Sequence, residues 1–262
     1  MRLVDSHTHL YFEDYQPSKE AAVERAIEAG VVHMVLPGVD SSVIEPMKTL
    51  HKKFPENTSI GIGLHPCDVK PENFEWEIAT IDAELESNKS EYSAVGEVGM
   101  DLYWDKTLPD LQQQVFDHYL RLADRLNLPV IIHSRDAFDQ TMEVIAGLDN
   151  VPEMVFHSFS GTTETVEKIL RDFPNVYFGI NGIVTFKNSR LKDVLQVIPD
   201  NQLLLETDSP YLAPVPKRGM VNESAYLIHT ADFVAREKGM TADTLADLTT
   251  KNAARLFNIR NI

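Results

Sequence analysis

His7 and His9 open a series of six metal-ligand-type side chains that continues with Glu97, His133, His157 and Asp208. Each follows a short apolar run: Leu3-Val4, Ser93-Ala94-Val95-Gly96, Val130-Ile131-Ile132, Met154-Val155-Phe156 and Leu203-Leu204-Leu205. Four imidazoles and two carboxylates are a donor set for two neighbouring divalent cations, with positions left open for water and substrate. One histidine at a strand end is ordinary. A series of them, each at the C-terminal end of its run, implies one shared site.

The spacing divides the work. His7 and His9 are two apart, so on a strand both face one way and can chelate one cation. Glu97 lies between Gly96 and Gly99, where the backbone can pack closely, and a carboxylate there can bridge two cations. His133 and His157 end neighbouring strands and suit the second cation. Asp208 can ligate the first cation and accept a proton from an attacking water. Glu206, two residues earlier, shares that face. It either orients a ligand histidine or is a buried carboxylate bonded to an interior base. Two carboxylates against two divalent cations leave the site positive, which attracts an anionic phosphodiester. Imidazole-rich sites suit Zn or Mn better than Mg, although nuclease chemistry commonly runs with Mg.

Other residues face a substrate. His65, in Gly63-Leu64-His65-Pro66, reads as a substrate contact or a stabiliser of the leaving group rather than a further ligand. Arg135, two beyond His133, can clamp a phosphate or pair with Asp136 or Asp139. Lys187 and Arg190, then Lys217 and Arg218, form basic loops after the seventh and eighth runs, where barrels often bind phosphate. The other reading is a solvated face. Tyr103 and Trp104 can stack on a base or pack internally.

Positioning these residues takes eight strands: 3–7, 31–36, 59–64, 94–98, 130–133, 154–157, 176–180 and 203–206. Most are continuous apolar runs, as parallel strands covered on both faces should be. Between them lie helical patterns at 19–29, 41–54, 72–86, 109–126, 136–148, 163–173 and 190–197. Patterns at 222–237 and 243–257 close the chain. Ser18 caps the first helix, and Gly30 stops it. Alternating units of this kind predict a (β/α)8 TIM barrel, an α/β fold, as one domain over 1–262. Sites in that fold lie at the C-terminal strand ends, where the candidate ligands fall.

Composition narrows the function. The chain has 262 residues, with 24 Lys plus Arg against 40 Asp plus Glu, a formal net charge of −16. So acidic a body repels long polyanions and argues against a basic-groove DNA binder. Cys67 is the single cysteine, so no internal disulfide framework exists. With no basic-then-apolar leader and no long apolar run, the expected location is the cytoplasm, with no membrane contact.

Six ordered strings carry a resemblance that runs end to end. They are Asp5-Ser6-His7-Thr8-His9, Gly63-Leu64-His65-Pro66, Gly96-Glu97-Val98-Gly99-Met100-Asp101, His133-Ser134-Arg135, His157-Ser158-Phe159 and Glu206-Thr207-Asp208-Ser209-Pro210-Tyr211. The chain resembles the TatD family of metal-dependent hydrolases, within the amidohydrolase-like barrels. The resemblance implies that His7, His9, Glu97, His133, His157 and Asp208 ligate metal. It implies a deoxyribonuclease that cleaves DNA phosphodiester bonds from a free end by a metal-activated water. Short or single-stranded ends are the expected substrate, with His65, Arg135 and Arg218 positioning the phosphate. The alternative is an ester or amide hydrolase, such as a D-aminoacyl-tRNA deacylase, acting on aminoacyl-tRNA. Two positions depart from the family pattern. Met100 replaces Leu or Ile, and Asn222-Glu223-Ser224 replaces Asn-Glu-Pro.

Overall fold

The computed structural model describes residues 1–260 and 262. Among the described residues, eight strands form one sheet in chain order, β1 to β8. They are β1 (Leu3–Asp5), β2 (Val31–Pro37), β3 (Thr58–Ile62), β4 (Tyr92–Asp101), β5 (Val130–Arg135), β6 (Met154–Phe156), β7 (Val176–Ile180) and β8 (Leu203–Leu205). The chain returns on itself, because the Ser6 N–H donates to the Leu205 carbonyl at 3.0 Å. Parallel strands in chain order with helices between them make a (β/α)8 barrel, as the sequence predicts.

Burial explains the apolar runs. Val130, Ile131 and Ile132 of β5 have no exposed surface, and Leu203 and Leu204 of β8 have none. Both sheet faces are covered, so alternation has no value in these strands. Each such side chain contributes about 1.5–3 kcal/mol relative to exposure.

The contacts fall into two compact units. The first comprises Met1–Leu36, Leu50–Ser59 and Ser158–Ile262. It holds α1 (Lys19–Glu28), α6 (Thr163–Asp172), α7 (Leu191–Val197), α8 (Leu227–Glu237) and α9 (Ala242–Leu256). Ser18 caps α1 by accepting the Ala21 N–H, and Gly30 follows at φ +95°, which a side chain would resist. α9 packs on β1 and β8. The helix predicted from Asn222 starts later, at Leu227. Its first residues are committed elsewhere. The Asn222 amide donates to the Thr207 and Tyr211 carbonyls, and Glu223 pairs with Arg25. Side chains that bond the backbone in this way compete with helix.

The second unit comprises Pro37–Thr49 and Ile60–His157. It holds α3 (Phe74–Ser87), α4 (Pro109–Leu126) and α5 (Phe138–Ala146), while α2 (Ile44–Lys53) begins in it. α4 has Pro109 in its first turn and ends at Asn127, left-handed at φ 51°. β4 runs three residues beyond its predicted end at Val98, because Gly99, Met100 and Asp101 continue the ladder opposite His133, Ser134 and Arg135.

His33 of β2 makes a pH-dependent contribution to stability. It is 5% exposed, and burial pushes its pKa down from 6.5 to about 4, against the opposing contact with the Glu56 carbonyl. The unfolded chain therefore binds the proton first as pH falls. Stability present above pH 6.5 is lost on the way to about pH 4, by about 3 kcal/mol. Urea midpoints at pH 7.5 and 4.5 should converge in His33→Gln relative to wild type. Equal spreads in the two proteins would reject the assignment.

Candidate active site

Beyond β1, the first unit gathers His7, His9 and Asp208. The Nε2 atoms of His7 and His9 lie 3.2 Å apart, and Asp208 Oδ1 lies 3.7 Å and 3.6 Å from them. His7 is fully buried and His9 nearly so. The Nδ1 of His9 meets the Tyr11 hydroxyl at 2.8 Å, which fixes the ring. Asp208 sits at φ 57°, a left-handed conformation that Asp tolerates better than most residues. Its N–H donates to the His7 carbonyl, and its own carbonyl accepts the Tyr211 N–H. The turn after β8 is thereby tied to the end of β1, and the carboxylate is held against both imidazoles.

A buried polar layer supports this turn. Asp5 accepts from the Thr207 hydroxyl at 2.6 Å and from the Thr207 N–H at 3.0 Å. Burial pushes its carboxyl up to about 7, against these bonds. Ser224, which stands where the family pattern has proline, donates to the Thr8 hydroxyl at 3.3 Å. The departure thus supplies a bond that proline cannot make. Glu206 is buried and accepts the Ser158 N–H at 2.5 Å. A Cβ at Gly179 would lie 2.1 Å from its Oε2, so the glycine makes room for the carboxylate.

The second unit gathers His65, Glu97, His133 and His157. Three imidazole nitrogens surround one carboxylate oxygen, Glu97 Oε1: His157 Nε2 at 2.7 Å, His133 Nδ1 at 2.8 Å and His65 Nε2 at 3.4 Å. Glu97 is 3% exposed. His65, Glu97 and His133 each offer one donor atom, all within 4.8 Å of one another, a grouping that can hold a metal ion. His65 is therefore closer to the ligand group than its sequence context suggests. Its Nδ1 accepts the Cys67 N–H, so Nε2 is the nitrogen turned to Glu97. Burial pushes His65 below the usual imidazole range, and Glu97 only partly opposes this.

Sequence reasoning missed Asp101. Its Oδ2 meets His133 Nε2 at 2.9 Å, on the side of the ring away from Glu97. Burial alone would lower the pKa of His133, but the bonds to Asp101 and Glu97 together raise it. Asp101 is itself held down at about 2: burial opposes this, and the bonds from His133, Trp104 and Tyr103 overcome it. The available signal was the spacing Glu97, Gly99, Asp101, which puts all three on one strand face. Gly99 is required there. Its φ is +145°, and a Cβ would lie 2.0 Å from the His133 carbonyl.

Three of the basic candidates lie on aromatic rings. Arg135 stands over Tyr103, 3.9 Å from the ring centroid, rather than pairing with Asp136 or Asp139. Arg218 stands over Phe186 at 3.9 Å, and Lys217 over Tyr226 at 4.7 Å. Lys187 and Arg190 are exposed. No helix of the described residues is long and apolar enough to cross a membrane.

Comparison with known proteins agrees with this geometry. Residues 4–258 match the family described as TatD related DNase. The uncharacterized metal-dependent hydrolase YabD of Bacillus subtilis is 36% identical over 260 residues, covering 98% of this chain and 99% of that protein. The uncharacterized metal-dependent hydrolase YcfH of Escherichia coli is 34% identical over 270 residues, covering 99% and 97%. The crystal structure of YjjV, a TatD homologue from E. coli, superposes with a TM-score of 0.89 at 29% identity, covering 98% of each chain.

Proposed function

Since the chain belongs to the TatD-related DNase family of metal-dependent hydrolases, we propose that it cleaves DNA phosphodiester bonds from a free end. The observation that carries this is the convergence of His65, His133 and His157 on the single buried oxygen of Glu97. In this reading His7, His9 and Asp208 hold one divalent cation, and Glu97, His133 and His157 hold the other. His65 stands beside that second group and contacts either cation or substrate. Bound there, Zn, Mn or Mg would supply an activated water and neutralise charge that builds on the phosphate oxygens.

The protein's own groups do the rest. Asp208, its carboxylate held against two imidazoles, accepts the proton released by the attacking water. Asp101 holds the His133 ring from behind, and Tyr11 holds His9. Arg135 and Arg218 keep guanidinium edges for phosphate while their faces rest on rings. The charge of −16 weighs against long duplex and favours short or single-stranded ends.

The test is hydrolysis of end-labelled single-stranded DNA by purified protein with Mg, Mn, Zn or chelator. Stepwise shortening that needs metal is expected. A folded, metal-bound protein that cleaves no DNA under any condition would overturn the reading, and aminoacyl-tRNA would be assayed next.

A further inference from the structure

Tyr103 and Trp104 follow β4 and are 49% and 69% exposed. Rings so open to water contribute little to a core, which disposes of a packing role for Trp104. They nevertheless form a built arrangement. Their centroids are 5.0 Å apart at 89°, and the Arg135 guanidinium lies 3.9 Å from the Tyr103 centroid and 5.6 Å from that of Trp104. We propose that Tyr103, Trp104 and Arg135 form a platform on which one base of a single-stranded nucleic acid stacks, with the base against the more exposed Trp104 ring and the perpendicular Tyr103 ring, itself capped by Arg135, supporting it from the side. The proposal rests on the nuclease reading above and adds how the substrate is gripped.

The platform stands at a meaningful distance from the ligands. In the β4–β5 ladder Gly99 pairs with His133 and Asp101 with Arg135. Arg135 is thus two residues beyond His133 on the same strand face, roughly 6.6 Å along the strand. That step is comparable with the reach from a nucleotide's phosphate to its base. A phosphate near His133 would bring its base to the exposed rings.

The platform is also held in place. Asp101 Oδ1 accepts the N–H of Tyr103 at 2.9 Å and of Trp104 at 2.8 Å, while its Oδ2 meets His133. Gln112 of α4 accepts the Asp101 N–H at 2.9 Å and donates to its carbonyl at 3.2 Å. One carboxylate therefore positions both a metal-site histidine and the aromatic turn.

The chemistry selects single strands. Every base offers a π face, so stacking on Trp104 tolerates any sequence, and Arg135 adds a cation beside it. In a duplex those faces are already stacked. For a protein whose net charge repels polyanions, stacking gives a hold on DNA that long-range electrostatics does not.

Two measurements test this. The protein has two tryptophans, Trp76 and Trp104, so Trp76→Phe leaves Trp104 as the reporter. In chelator, a short single-stranded oligonucleotide should quench its fluorescence, and an abasic strand of equal length should not. In turnover, Trp104→Ala should lower kcat/KM on base-bearing strands about tenfold more than on abasic strands, with Trp104→Phe restoring most of the loss. Absence of base-dependent quenching, or equal losses on both strands, overturns the platform even if the protein cleaves DNA. Base-dependent quenching in a protein that cleaves no DNA keeps the platform and rejects the nuclease reading.

Discussion

Glu97→Gln should lose at least about 10³-fold in DNA hydrolysis and lose the metal-dependent rise in melting temperature as well. The substitution keeps the side chain's shape and one acceptor oxygen but removes the charge. In the native protein that charge faces three imidazoles within 3.4 Å of one oxygen. Three neutral nitrogens and an amide make a far weaker site for a divalent cation than three nitrogens and a carboxylate. A metal present at about 100 times its Kd stabilises the native state by about 2.7 kcal/mol, a gain the variant should forfeit. Melting curves with and without Mn or Zn, run beside the nuclease assay, give both readouts. Without metal the variant should melt close to wild type. A variant that retains its activity and its metal-dependent shift would remove Glu97 from the ligand set.

The candidate ligand histidines were legible because they follow apolar runs, and parallel strands buried on both faces leave just such runs in the sequence. Strand order followed from the alternation with helices, which permits few other connections. Strand ends were less legible, and the errors fell beside the site. β4 was expected to stop at Val98 and continues to Asp101, which hid the partner of His133. The apolar signal fades there because the glycines that let β4 approach β5 closely carry no side chain to report burial. His65 was read as a substrate contact because nothing local ties it to Glu97; the proximity exists only once β3 and β4 are paired. Ser224 showed in the sequence only as a departure from the family's proline. Its hydroxyl bonds Thr8, 216 residues away in the chain, a relation that no local pattern encodes.

Asp208→Asn should reduce kcat by about 10³-fold while changing the melting temperature of the metal-free protein little. Two properties of the position separate these effects. The backbone at Asp208 is left-handed, φ 57°, and Asn is among the few residues that adopt this conformation as readily as Asp. The bonds that hold the turn, from the Asp208 N–H to the His7 carbonyl and from the Tyr211 N–H to the Asp208 carbonyl, belong to the main chain and survive the substitution. The side chain loses its charge and its capacity to take a proton. Alanine would confuse the two effects, since it lacks the polar group that makes the left-handed conformation tolerable. With KM measured alongside, a fall confined to kcat, in a variant that keeps the metal-dependent rise in melting temperature, would identify Asp208 as the proton acceptor; a fall accompanied by loss of that rise would make it a metal ligand. A comparable rise in KM with kcat preserved would instead reduce Asp208 to a substrate-binding group. If DNA is not the substrate, the same split should appear on whichever ester the protein hydrolyses, because the carboxylate acts on the attacking water and not on the bond being broken.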